Sequence, residues 1–343
     1  MKAIGYRQPH QLSSNTQLES IELPVPSATG EDLLVKVRAI SVNPVDTKVR
    51  QRAGGVEQVN DGYKILGWDA AGEVVAIGDK VTDFKVGDQV WYAGDLTRAG
   101  SNAEYQLVEQ KIVGRKPANL SFAQAAALPL TTITAWELLF DRLKLDPKAD
   151  LSQRKLLVIG AAGGVGSILL QLASHLTNIQ VVATASRPET VEWVKHLGAD
   201  AVIDHRKPLS NALAEAGIDG ITDVISLTHS EQHWPEIAKL IEPQGQLALI
   251  DDAPSLDIMP FKQKSISLHW EFMFTRSLFS TRDRVKQQQL LNTVADLVES
   301  GAVITTADAH FGVISVANLH RAHTLLESGK AKGKIVLEGF ESQ

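Results

Sequence analysis

The stretch that most constrains this chain is Lys155 to Leu172, KLLVIGAAGGVGSILLQL. An apolar β-type run from Leu156 to Gly160 enters a glycine-rich turn, after which Val165, Leu169, Leu172 and Leu176 recur at helical spacing. The order is strand, turn, helix. Gly163 lets backbone approach a bound pyrophosphate and Gly166 lets the helix pack close to the strand, while the helix N-terminus offers N–H groups and a positive dipole end. Ala161 stands in place of the first glycine of the G-x-G-x-x-G pattern, so the pattern by itself is weak. Its context is stronger. A second β-type run, Gln180 to Thr184, begins after the helix, and Ser186 lies twenty residues beyond Gly166, where a ribose-reading residue is expected. The stretch predicts a dinucleotide site with Gly160, Ala162, Gly163, Gly164 and Val165 around the pyrophosphate.

The end of that second strand bears on which dinucleotide. An acidic residue there accepts from both ribose hydroxyls of NAD and repels a 2′-phosphate. This chain has Ala185, Ser186 and Arg187. A small residue, a hydroxyl and a guanidinium remove the repulsion and offer donors to phosphate, which predicts NADPH. His205 and Arg206, after the third strand, flank the same phosphate in this reading; an exposed loop explains them as well. Leu227, Ile250 and Asp251 close later strands at the carboxyl edge, where the cofactor is expected to lie.

With 343 residues, 44% of them hydrophobic, the chain is long enough for two packed domains. Lys and Arg number 34 against 40 Asp and Glu, a net charge of −6 with no block of one sign, which argues against nucleic acid or an anionic membrane as partner. MKAIGYRQPH lacks the apolar core of a signal peptide, and no apolar run is long enough to span a membrane, so a cytoplasmic location is expected. There is no cysteine, which removes disulfides, thiolate catalysis and sulfur-bound zinc.

From Met1 to about Leu120 the pattern is mostly β. Leu34, Val35, Val37 and Ile40 share one strand, and GEVVAIG (Gly72 to Gly78) and GDQVWYAG (Gly87 to Gly94) are runs bounded by turn residues, suggesting a barrel-like domain. Ser121 and Gln124 resemble a capping box opening a helix that Pro129 interrupts. After the glycine loop, strands and helices alternate through Ala201 to Asp204, Asp223 to Leu227, a helix from about Trp234, and Gly245 to Asp251, which is doubly wound α/β order. Ser265 to Trp270 reads as one more strand, with helices from about Thr281 and Leu319 and a last strand, Lys334 to Glu338. The expected division is a Rossmann domain over 127–270 and a mainly β catalytic domain from 1–126 and 271–343.

The chain resembles the medium-chain dehydrogenase/reductase superfamily over essentially its full length. The segments that carry the likeness are SVNPVDTKVR (Ser41 to Arg50), LGWDAAGEVVAIG (Leu66 to Gly78), KVGDQVWYAG (Lys85 to Gly94), AALPLTTITAW (Ala126 to Trp136), GAAGGVG (Gly160 to Gly166) and SGKAKGKIVL (Ser328 to Leu337). It is most similar to the zinc-free quinone oxidoreductases, in the group labelled zinc-type alcohol dehydrogenase-like proteins. Motif for motif, the zinc-ligand positions of metal-dependent members fall on Asn43, Trp68 and Leu130, which cannot form a tetrahedral N/S site. The four-cysteine structural zinc lobe is missing too. His229 with His233 and His320 with His323 have ligand-like spacing but no third partner.

Without a Lewis acid, an alcohol keeps its proton far above the neutral pH range, and none of the four tyrosines opens a Tyr-x-x-x-Lys pair to substitute for the metal. A quinone or α,β-unsaturated carbonyl asks less, because hydride adds to an electrophilic carbon and leaves a delocalised anion. The resemblance implies a reaction site in the cleft between the domains. There Asn43 would donate to a substrate carbonyl, Asp46 would orient it or relay a proton, Trp68 would wall the space left by the metal, and Thr134 would contact the nicotinamide. The plainer readings are a turn residue before Pro44, a buried structural carboxylate, core packing, and a threonine bonded to its own helix. Asp69 reads as a structural acceptor, and Lys334 as a residue reaching over the cofactor or a surface lysine.

The expected function is therefore NADPH-dependent hydride transfer to a small electrophilic acceptor, a quinone or enone, with no zinc. A cofactor-binding protein without turnover stays open as a second reading, and zinc alcohol dehydrogenase is disfavoured. The β-type alternation of Ser265 to Trp270 would leave a hydrophobic edge in a monomer, and the resemblance implies that it pairs across a homodimer.

Overall fold

The computed structural model describes residues 1–12, 17–52 and 62–340, and the chain divides into two compact units. The first comprises residues 1–133 and 274–343, the second 134–273. Its opening half contains β1 (Lys2–Tyr6), β2 (Glu19–Glu22), β3 (Asp32–Val42), α1 (Pro44–Gln51), β4 (Lys64–Ile65), β5 (Ala70–Ile77), β6 (Gln89–Tyr92), β7 (Tyr105–Glu109), β8 (Val113–Arg115), α2 (Phe122–Ala126) and α3 (Pro129–Trp136). The second unit continues with β9 (Lys155–Ile159), α4 (Gly164–Leu176), β10 (Gln180–Thr184), α5 (Pro188–His196), β11 (Ala201–Ile203), α6 (Leu209–Glu215), β12 (Ile221–Ser226), α7 (Ser230–Leu240), β13 (Ile241–Leu249), α8 (Met259–Lys262) and β14 (Ser267–Trp270). The chain then returns to the first unit with α9 (Thr275–Leu278), α10 (Val285–Glu299), β15 (Ala307–His310), α11 (Val316–Glu327) and β16 (Lys334–Glu338).

In the second unit six parallel strands run in the order β11-β10-β9-β12-β13-β14. Because all are parallel, every strand ends on the same edge, and the order reverses direction at β9, where the glycine loop follows. Helices cover the faces, so the strands are apolar on both sides: Leu156, Leu157 and Val158 are all fully buried. Leu157 and Ile159 pack with Val224, Leu247, Trp234 and Ile237 into one core.

The first unit is antiparallel apart from one pair. A seven-stranded sheet follows β15-β16-β3-β5-β6-β8, with β7 also on β3, and a smaller sheet has the order β2-β1-β4. β16 pairs antiparallel with β3, Ile335 opposite Val42, which brings the end of the chain against the segment that opens α1.

Several boundaries differ from the sequence reading. α7 starts at Ser230, four residues before Trp234, because the Asp251 carboxylate accepts the Ser230 N–H at 2.8 Å and its hydroxyl at 2.6 Å. That cap is supplied from the end of β13, beyond the reach of local capping rules. β13 begins at Ile241 rather than Gly245, and α10 at Val285 rather than Thr281.

Candidate functional site

The glycine loop joins β9 to α4 in the second unit. Gly160 turns the chain with φ of 81°, a left-handed conformation in which a side chain would also meet Thr228 Cγ2 at 2.9 Å. A Cβ on Gly166 would come within 2.3 Å of the Ala161 carbonyl oxygen, so α4 lies against the loop at a distance that only glycine permits. By contrast, a Cβ on Gly163 would meet nothing closer than the Gly160 carbonyl oxygen at 3.5 Å. Ala162, Gly163, Gly164 and Val165 are half-buried, and no side chain caps the first turn of α4. Its N–H groups are therefore available to an anion, and the residues fit a dinucleotide pyrophosphate.

Along the same strand-end edge, Ala185 is buried and its N–H donates to the Ile203 carbonyl at 3.0 Å, while Ser186 and Arg187 are half-buried where α5 begins. Arg187 pairs with Glu189 at 3.2 Å. His205 is half-buried after β11; Arg206 turns outward and binds Asp204 through its Nη2 at 2.6 Å. Leu227 and Ile250 follow β12 and β13, and the Leu227 N–H donates to the Ile159 carbonyl at 3.1 Å. Thr134 is buried on α3.

In the first unit a buried polar centre joins four distant segments. Lys334, 3% exposed, donates to Asp69 Oδ2 at 2.9 Å, to the Val42 carbonyl at 3.2 Å and to Asn43 Oδ1. An ammonium has three hydrogens, and all three are taken. A surface position does not describe this lysine, whose three hydrogens are spent on acceptors within the first unit. Its partners also orient Asn43: an ammonium can only donate, so the amide oxygen faces Lys334 and the amide nitrogen donates to Asp69 Oδ2 at 2.9 Å. The Ser41 and Trp68 carbonyls lie farther from that nitrogen, at 3.4 and 3.5 Å. Asn43 is 1% exposed, and its amide is committed inside the protein rather than presented to a substrate carbonyl.

Asp69 Oδ1 accepts the Leu130 N–H at 2.8 Å, which ties the start of α3 to the same centre. Asp46 accepts the Asn43 backbone N–H at 2.7 Å and that of Gly67. Two carboxylates thus share one buried ammonium, and a low-dielectric interior resists the second negative charge. Burial pushes Asp46 up to about 7 against the pull of the Asn43 N–H and Lys334. Burial raises Asp69 as well, with Lys334 opposing.

The residues at the positions that the resemblance gives to zinc do not fit the metal. The Asn43 amide is bonded at both ends, Leu130 has no lone pair on its side chain, and Trp68 is fully buried with its Nε1 donating to the Asp95 carbonyl at 3.2 Å. Trp68 packs edge-on to Phe274 with ring centroids 6.2 Å apart, which is core packing rather than a pocket wall. Among the described residues no group of three or more His, Cys, Asp or Glu could hold a metal ion. His323 is buried, accepts from or shares a hydrogen with Arg50 Nη1 at 2.8 Å, and is pushed by burial down to about 3, hence neutral. The sequence reading missed Lys334 as the hub. The available signal was two acids, Asp46 and Asp69, in segments that bury well and hold no cation of their own.

This centre makes stability depend on pH. Folded Asp46 keeps its proton up to about pH 7 whereas the unfolded carboxyl releases it near 3.8, so the native state binds more protons between those values and stability falls as pH rises through them. An Asp46→Asn variant lacks this contribution. Measured by urea unfolding, the stability of Asp46→Asn minus that of the parent is expected to grow by on the order of 4 kcal/mol from pH 4 to pH 7 and to level off above it. A difference that stays constant with pH would remove Asp46 as the titrating group.

Comparison with known proteins agrees with this geometry. A model of the alcohol dehydrogenase GroES-like domain matches residues 29–132, and a model of the zinc-binding dehydrogenase family matches 197–337. A zinc-type alcohol dehydrogenase-like protein of Staphylococcus epidermidis is 39% identical over 98% of this chain and 99% of its own. A chloroplastic NADPH-dependent alkenal/one oxidoreductase of Arabidopsis thaliana is 32% identical over 94% of this chain and 75% of its own. A solved Rhizobium etli structure, provisionally named a zinc-dependent alcohol dehydrogenase, is 50% identical and superposes with a TM-score of 0.95 over 100% of this chain and 99% of that one. The chain belongs to the medium-chain dehydrogenase/reductase superfamily and is an oxidoreductase of that type.

Proposed function

We propose that this protein is an NADPH-dependent reductase of quinones or α,β-unsaturated carbonyls that works without a catalytic metal. The observation that carries the reading is the chemistry of the first unit's polar centre, where an ammonium, two carboxylates and a committed amide stand in place of N/S metal donors. Such a centre cannot supply the Lewis acid that oxidation of a simple alcohol needs, and an activated alkene or quinone does not need one. Bound at the glycine loop, NADPH supplies the hydride. The chain's own residues then hold the cofactor, orient the acceptor and keep water away. Thr134, at the start of the second unit, is proposed to face the nicotinamide end. The alkenal/one oxidoreductase activity for which the Arabidopsis relative is named supports the enone class.

Steady-state NADPH oxidation with a panel of quinones and enones tests the function. Turnover with one or more of them, unchanged by prior chelation, is expected; simple alcohols with NADP⁺ should give none. Near one zinc per chain, lost together with activity, would overturn the reading. Cofactor binding without turnover of any acceptor would favour the non-catalytic alternative.

Cofactor choice rests on Ser186 and Arg187 at the end of β10. Arg187→Ala is expected to weaken NADPH by about tenfold, the scale of one hydrogen bond to a charged group, and to leave NADH nearly unchanged. Equal losses in titrations of both cofactors would count against the assignment.

β14 is the last strand of the six-stranded sheet, and Trp270 and Phe272 beside it are exposed. We propose that a second copy pairs with this edge across a two-fold axis. A dimer mass is expected in light scattering at micromolar concentration, and a monomer mass would refute it.

A further inference from the structure

We infer that His205, His229 and His233 form a proton-dependent reader of the cofactor's 2′-phosphate, so that the preference for NADPH over NADH strengthens as pH falls. The inference rests on the NADPH reading above and adds two residues and a regulation that it does not contain.

The topology places these histidines on one edge of the sheet, and their mutual electrostatic interaction across the ends of β10 and β9 makes them neighbours. β11 and β12 end on the same edge of the parallel sheet as β9 and β10, with His205 two residues beyond β11 and His229 three beyond β12. The Thr228 to His229 turn lies against the glycine loop, since Thr228 Cγ2 is the atom that a Gly160 side chain would strike at 2.9 Å. His229 is exposed, sits in the left-handed region at φ of 54°, and its Nδ1 is 2.8 Å from Thr228 Oγ1, which pins the ring beside its own turn. His233 follows one turn along α7, on the same face as His229.

Among the described residues, no hydrogen bond or ion pair engages the side chains of His205 and His233. The charged groups that act on His205 are Asp204 and Arg206 of its own loop, Arg187 at the start of α5 and His229 at the start of α7. Those that act on His233 are His205 and His229. Asp204 is held by Arg206, and Arg187 is paired with Glu189. Burial is the largest influence and lowers the proton affinity of both; at His205 the Asp204 carboxylate opposes it while Arg206, His229 and Arg187 add to it, and at His233 the neighbouring imidazoles add to it. The cluster thus opposes its own protonation when alone, and a phosphate dianion reverses that balance.

The sign follows from linkage: if the bound phosphate raises the imidazoles' proton affinity, binding takes up protons and affinity increases as pH falls toward the ordinary histidine range near 6.5. NADH has no 2′-phosphate and gains nothing. His229 and His233 have ligand-like spacing but no third metal partner in the sequence, and the neighbour they gain in the fold is another imidazole beside Arg187, an arrangement that favours an anion.

The test is fluorescence titration of the full chain with NADPH and with NADH at pH 8.0 and 6.5, for the parent and for His205→Gln, His229→Gln and His233→Gln. The parent's affinity for NADPH is expected to rise about fivefold or more between the two pH values, the scale of roughly half a proton taken up on average, and its affinity for NADH less than twofold. Each variant should lose a clear part of the NADPH slope. The ³¹P resonance of bound 2′-phosphate should stay dianionic to lower pH in the parent than in the variants, a readout independent of overall affinity. Parent-like NADPH slopes in all three variants, or the same slope for NADH, would overturn the inference while leaving the NADPH reading intact. No preference for NADPH at either pH would instead overturn the cofactor reading itself.

Discussion

One buried ammonium holds the first unit's polar centre together. Lys334 on the last strand reaches Asp69 before β5 and Asn43 between β3 and α1, and Asp69 in turn holds the first turn of α3 through Leu130. Four segments separated by up to 291 residues are referred to a single charge. Removing one partner from such a pair leaves the other charge buried without compensation, which is why these contacts organise their surroundings more than their net energy suggests. The centre is also one positive charge short of neutralising both of its carboxylates, and the proton kept on Asp46 follows from that shortage.

The second unit is organised by a different constraint, the requirement that parallel strands end on one edge. Once β9 to β12 are parallel, the glycine loop, Ser186 with Arg187, His205, and Leu227 with Thr228 and His229 all come to that edge. Gly166 lets the helix approach the loop, Gly160 lets the chain turn under Thr228, and the uncapped first turn of α4 leaves its N–H groups for an anion. Charge at this edge is tuned by pairing: Arg206 is tied to Asp204, whereas the imidazoles are left to respond to what binds.

The alternating order of strands and helices and the glycine turn made the α/β class legible before any coordinates, because both depend on local periodicity and backbone sterics. Terminal boundaries were less legible where distant groups decide them. α7 begins at Ser230 because Asp251 caps it from 21 residues away, and β13 reaches back to Ile241 because β12 lies alongside. The candidate site shows the same division. Asn43, Trp68 and Asp69 could be singled out from motif position, but the direction of the Asn43 amide, the enclosure of Trp68 and the partner of Asp69 could not.

What the sequence by itself determined was the dinucleotide loop, the doubly wound order, the missing sulfur ligands and the lack of an acidic ribose reader after β10. Each is a property of residue types at short spacing. Only the tertiary structure decided that Lys334 turns inward to neutralise a carboxylate 265 residues away rather than outward to solvent, and that His205 stands within electrostatic reach of Arg187 and His229, and His233 of His205 and His229. Burial and Coulomb interaction depend on distance through space, and distance through space between remote segments is what a sequence does not record.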